Sequence, residues 1–124
     1  MNPLCDNLNI GTIGELLVQI RLLEFGVQAA PPIKDSGNDL IAIKGNVFKS
    51  IQVKTSIKNR HPKKPKNRDY HIFAYVKLEH ESHQICLDKS KIYLIDKDVV
   101  DSLGFSFSRL ESMELKQERI DQLF

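Results

Sequence analysis

The stretch DLIAIKGNVFKSIQVKT, from Asp39 to Thr55, constrains the fold more than any other part of the chain. Two runs rich in β-forming residues, about Asp39–Lys44 and Phe48–Thr55, meet at Gly45-Asn46, which is hairpin-turn chemistry. A two-residue turn sets Lys44 opposite Val47. Moving outward, Ile43 then faces Phe48, Ile41 faces Ser50 and Asp39 faces Gln52. Side chains alternate along a strand, so Asp39, Ile41 and Ile43 share one face with Phe48, Ser50, Gln52 and Lys54. An odd-length turn or a bulge would break this register.

The segments around the hairpin read as helix before and strands after. In TIGELLVQIRLLEFG, Ile13, Leu16, Leu17, Ile20 and Leu23 recur at helical spacing, with Thr12 able to cap the start and Gly26 placed past the end. VQAAPPI is a short extended piece stopped by Pro31 and Pro32, and KDSGN is turn chemistry. YHIFAYVKL, Tyr70 to Leu78, is rich in β-formers and reads as a central strand. QICL and KIYLID predict further strands, DKDVVDSLG a short helix with Asp96 near its cap, and the C-terminal stretch from Leu110 a helical face carrying Leu110, Met113, Ile120 and Phe124. Helix, strands, loop, strands, helix predicts a single domain over residues 1–124, with a mixed sheet flanked by helices.

Charge is informative by its distribution. The formal net charge is only +2, yet residues 40–68 hold nine Lys or Arg and no acid, while the remaining 9 basic and 16 acidic residues sum to −7. The prolines and dense positive charge of 57–68 mark a basic loop that leaves the second hairpin strand just after Lys54. Such a run is either a solvated face or the footprint of an anionic partner. No apolar run approaches the length of a membrane span, and the N-terminus lacks the pattern of a signal peptide. Cys5 and Cys86 lie far apart with no CxxC spacing, as expected for reduced thiols in a cytoplasmic protein. The pair His80 and His83 has no further ligand pattern beside it and reads as a polar turn.

On the hairpin, a carboxylate, an amide oxygen and a lysine are brought to one face. Opposed Cβ atoms lie roughly 4.5–5.5 Å apart, which lets Asp39 and Gln52 share a hard divalent cation, with Lys54 diagonal to them. Phosphodiester hydrolysis needs an activated water and charge neutralisation at the phosphoryl oxygens. A cation held by protein oxygens and a neighbouring lysine meet both needs. Glu15 has a bland reading as well: T-x-x-E is a capping box, in which Glu15 reaches back to the Thr12 amide. Gln19, one helical turn beyond Glu15, is a candidate substrate or metal-water contact.

The order GE…LL…FG…DSGNDLIAI…IQVKT resembles the core of the PD-(D/E)xK nuclease superfamily, over about Gly11 to Ser56. It looks most like small archaeal Holliday-junction resolvases and like the homing endonucleases that carry Q-x-K. The resemblance implies a restriction-endonuclease-like, three-layer α/β/α sandwich with a central mixed sheet. It implies a Mg²⁺- or Mn²⁺-dependent endonuclease acting on double-stranded or branched DNA, as a homodimer. Residue by residue, Asp39 would be the main metal ligand, Gln52 would stand in the second acidic position, and Lys54 would be the catalytic lysine. Glu15 would bind or orient metal water, and the Val53 backbone carbonyl would complete the shell. Asn38 stands where the pattern has Pro, and Gln52 removes one negative charge. That loss makes a nuclease-fold module that binds DNA or a protein without cutting the alternative reading. Gln19, Thr55, Ser56, Lys58, Arg60, Lys63, Lys64, Lys66 and Arg68 are the expected nucleic-acid contacts.

Overall fold

The computed structural model describes residues 6–34, 38–57, 61–66, 69–82 and 84–124. Helix α1 (Asp6–Glu24) leads into strands β1 (Gln28–Ala30), β2 (Leu40–Lys44) and β3 (Val47–Ile57). Strand β4 (Ile72–Leu78) follows, then a two-stranded ribbon, β5 (His80–Glu81) with β6 (Gln84–Ile85), and strand β7 (Lys91–Asp96). Helix α2 (Lys97–Val100), a 3₁₀ turn (Glu111–Met113) and helix α3 (Gln117–Leu123) close the chain. The main sheet has the order β1-β2-β3-β4-β7, and only the β3–β4 pairing is parallel. It is a mixed sheet in an α/β fold.

The hairpin keeps the even register: Lys44 pairs with Val47, Ile43 with Phe48 and Ile41 with Ser50. Gly45 turns at φ 61° while Asn46 stays out of the positive-φ region, the pattern of a II′ turn, whose twist suits flanking strands. The register holds as far as Leu40 opposite Ile51. There the strand bulges. The Asp39 amide also donates to the Ile51 carbonyl, at 2.9 Å, so Asp39 and Leu40 both stand against one residue. Asp39 is therefore not paired backbone-to-backbone with Gln52, as a straight ladder would require.

Alternation divides the sheet into two unlike faces. Leu40, Ala42, Ile51, Val53, Ile72, Ala74, Val76, Ile92 and Leu94 point to one side, where they are buried with Leu17, Val18 and Leu22 of α1 and Ile120 and Leu123 of α3. Each large apolar side chain taken fully out of water contributes about 1.5–3 kcal/mol. On the other side, Phe73, Tyr75 and Ile95 pack with Tyr70, Val100, Leu110, Phe105 and Phe107. That second cover lies over β4 and β7 and stops there. Ile41 and Phe48, on the same face of the hairpin, remain 39% and 63% exposed. Arg119 ties α3 to β7, donating to the Leu94 carbonyl at 2.9 Å and to Asp96 at 3.0 Å.

Helix α1 differs from its sequence reading in two ways. It starts at Asp6, so Thr12 lies in its interior and the Thr12 amide belongs to the helix ladder. The capping-box role of Glu15 falls with that. Of the expected apolar stripe, only Ile13 and Leu17 turn inward, while Leu16, Ile20 and Leu23 are 52%, 54% and 63% exposed. The helix carries apolar residues almost all round, and periodicity alone cannot choose its rotation. Gly14 chooses it. A Cβ there would overlap the Thr55 Oγ1 and lie 2.9 Å from Thr55 Cβ and Cγ2, so only glycine lets α1 sit this close to β3.

This contact gives the substitution Gly14→Ala a definite sign. On an open helix it would stabilise by about 1 kcal/mol. Here overpacking is expected to destabilise by about 1–3 kcal/mol instead, and pairing it with Thr55→Ala, which removes the overlapping hydroxyl, should recover part of the loss. Urea unfolding of the two variants checks this; a more stable Gly14→Ala protein would show that α1 does not rest on Thr55.

Candidate active site

The site forms where β2 runs out. Residues of β3 present their amides alternately to β2 and to β4, and Val53 has no partner on β2 because that ladder ends at Leu40. The Asp39 carboxylate takes the vacant place: Val53 N–H donates to Asp39 Oδ2 at 2.8 Å. Gln52 Nε2 donates to the same oxygen at 2.9 Å. The bulge thus turns Asp39 toward the strand that a straight register would have placed opposite it.

Gln52 is buried, at 5% exposure. An ionised carboxylate only accepts hydrogen bonds, so the amide must offer its NH₂ end to Asp39. Gln52 Oε1 is then directed away, and it is buried with no hydrogen-bond partner. Such an oxygen costs about 1–3 kcal/mol. Beside an aspartate, an orphaned carbonyl-type oxygen fits a hard divalent cation, which takes oxygen ligands of this kind. Asp39, Gln52 Oε1 and the Val53 carbonyl are the donors on hand. Among the described residues no cluster of three or more His, Cys, Asp or Glu is placed to hold a metal. The donor set here has one acid and two neutral oxygens.

Lys54 follows on β3, exposed, and pairs with Tyr75 of β4 as Gln52 pairs with Phe73. Gln52 and Lys54 therefore share the face that the aromatic cover leaves open at the hairpin. Glu15 is half-buried and directly follows Gly14, whose turn of α1 rests on Thr55, the residue after Lys54. Its helical turn therefore meets β3 next to the site.

The other expected contacts divide. Ser56 is buried with its hydroxyl 3.1 Å from the Tyr75 hydroxyl, and Thr55 Oγ1 is buried beneath Gly14, so neither is a surface donor. Gln19 lines a groove between α1 and β1 with Leu16, Ile20, Leu23, Gln28 and Ala29, and Asp39 is not part of that lining. Lys63 and Lys66 are exposed. Lys64 is tethered: its Nζ donates to the Val100 carbonyl at 3.2 Å and lies 5.7 Å from the Phe105 ring centroid. Lys58, Arg60 and Arg68 fall outside the described residues, as does His83. Cys86 is a free, half-buried thiol. His71 directly precedes β4. Its Nδ1 accepts the Ser50 amide at 3.0 Å, capping β3 on the β4 side much as Asp39 caps it on the β2 side.

A solved bacterial homing endonuclease, I-Ssp6803I, shares this fold, with a TM-score of 0.58 and 19% identity over 82% of this chain and 72% of that one. No protein-family model and no curated protein matches the chain. This chain thus has a nuclease-type α/β fold, and no described helix is long and apolar enough to cross a membrane.

Replacing Gln52 by Glu removes the N–H that Asp39 accepts and sets two carboxylates together. Without divalent ions the variant should lose on the order of 1–3 kcal/mol at neutral pH. Added Mg²⁺ should raise its melting temperature more than that of the wild type, because a second anion strengthens ion binding. Melting curves with and without Mg²⁺ measure both effects, and a variant that melts like the wild type in each condition contradicts this geometry.

Proposed function

We propose that this chain is a divalent-metal-dependent endonuclease that hydrolyses DNA phosphodiester bonds, with a PD-(D/E)xK-type site in a restriction-endonuclease-like, three-layer arrangement. The buried, unpartnered Gln52 Oε1 beside Asp39 carries this reading. The likeness in fold to a homing endonuclease supports it.

Asp39, Gln52 Oε1 and the Val53 carbonyl would hold Mg²⁺ or Mn²⁺, with Glu15 contributing through water. When bound, the ion supplies positive charge at the phosphoryl oxygens and makes a nearby water more acidic. The protein's own side chains do the rest. Lys54, exposed on the open face, orients the attacking water and stabilises the negative charge that builds on the phosphate. Asp39 keeps the Gln52 amide in the orientation that presents Oε1. The bare hairpin face with Ile41 and Phe48 leaves room for a duplex or branched DNA to reach Lys54, and the basic loop of 57–68 gives a salt-dependent hold on its backbone. Cutting both strands takes two such sites, which a homodimer would provide.

The test is cleavage of linear and branched DNA with Mg²⁺ or Mn²⁺ by the wild type, Asp39→Ala and Lys54→Ala. Each variant should lose at least about 100-fold in rate, and Lys54→Ala should keep its melting temperature. Should the wild type be no faster than both variants on every substrate, the enzyme reading fails. DNA binding without cleavage would then favour a non-cutting module.

A further inference from the structure

One cleft on the aromatic face of the sheet lies outside the Asp39–Gln52 site. It lies where the basic loop meets α2, has a volume of about 590 Å³, and is lined by Lys64, Lys66, Asp69, Tyr70, Lys97 and Asp101. Tyr70 is its unusual member. The residue is 6% exposed, and its hydroxyl is buried with no hydrogen-bond partner. A buried phenol without an acceptor is a donor waiting for one. Burial, together with the nearby Asp101 charge, pushes the phenol up to about 12, so it keeps its proton at neutral pH.

Two of the three cations around it have contacts within the protein. Lys97 Nζ lies 5.5 Å from the Tyr70 ring centroid, and Lys64 is tied to the Val100 carbonyl at 3.2 Å. Three ammonium groups and two carboxylates leave the cleft at +1. That charge matches a single phosphodiester and would not suit a run of them. The position fits too. Tyr70 precedes Phe73, the partner of Gln52, by three residues, and packs with Phe73 and Tyr75.

We propose that this cleft is a phosphate subsite, in which the Tyr70 hydroxyl and the Lys66 and Lys97 ammonium groups grip one DNA phosphodiester of the strand to be cut. It rests on the endonuclease reading for its place on that strand but not for its chemistry. The subsite sets where the strand lies across Lys54.

The experiment is fluorescence anisotropy of a short labelled duplex across a salt series in metal-free buffer. Lys97→Gln should weaken binding and reduce the slope of log affinity against log salt by about 0.9, the loss of one phosphate contact. Lys97→Arg should restore the slope. Tyr70→Phe should weaken binding several-fold with the slope unchanged, since a neutral donor is lost, while its melting temperature stays level or rises. Wild-type affinity and slope in both Lys97→Gln and Tyr70→Phe would overturn the subsite. If those two bind normally while the wild type cleaves DNA, the subsite fails and the nuclease reading stands. If the slope falls in Lys97→Gln but the wild type never cleaves, the subsite stands and the nuclease reading fails.

Discussion

Asp39 Oδ2 accepting the Val53 amide is the contact on which the site depends. Strand β3 has eleven residues and β2 has five, so part of β3 outruns its neighbour on that side. An amide left bare there would have to find water or a side chain. Asp39, pulled in by the bulge, fills the gap and takes the Gln52 amide with the same oxygen. Hydrogen bonds to a charged group contribute about 1.5–3 kcal/mol each. Two of them are enough to offset the buried, unpartnered Gln52 Oε1. The structure can thus carry an unsatisfied oxygen because the acid beside it is well satisfied.

The second requirement is asymmetry between the faces of the sheet. One face is sealed by α1 and α3 along its length. The other is covered over β4 and β7 by an aromatic cluster, in which Phe107 stands 5.3 Å from Tyr75 and 4.9 Å from Phe105 between ring centroids. The His61 ring stacks on Phe107 at 5.3 Å, which brings part of the basic loop down onto this cluster. The hairpin beyond it is left open. Gln52 and Lys54 lie at that border, with apolar packing on one side and solvent on the other.

The hairpin could be read from the sequence because its constraints are local. Gly45-Asn46 sets the turn, the turn sets the register, and alternation sets the face. What escaped was set by neighbours far along the chain. The bulge at Asp39 arises where one strand ends and another continues, and no pattern within DLIAIK marks it. The rotation of α1 was misread because Leu16, Ile20 and Leu23 are as apolar as the residues that face inward. The usable clue was Gly14, since a glycine inside a helix costs stability unless close packing requires it. Phe105 and Phe107 alternate with serines, a period-two signal in a segment that forms no strand. Tyr70 was legible as a strand-end aromatic, but its lack of an acceptor exists only in three dimensions.

The glutamine in place of an acid gives the proposed site a particular physical character. A second carboxylate against Asp39 would repel it, and the empty site would be strained until a cation arrived. Gln52 donates to Asp39 instead, so the site is stable as it stands. The cost is one negative charge fewer for a divalent ion, and hard cations bind more weakly as ligand charge falls. In the proposed reaction the missing charge has an evident source, since a DNA phosphodiester brings one negative oxygen to the same place. Ion and DNA would then each favour the other's binding, by the reciprocity that holds for any pair of coupled ligands. Under the proposed reading such a site would fill its metal shell chiefly when DNA is present, and Gln52 would tie its occupancy to the substrate.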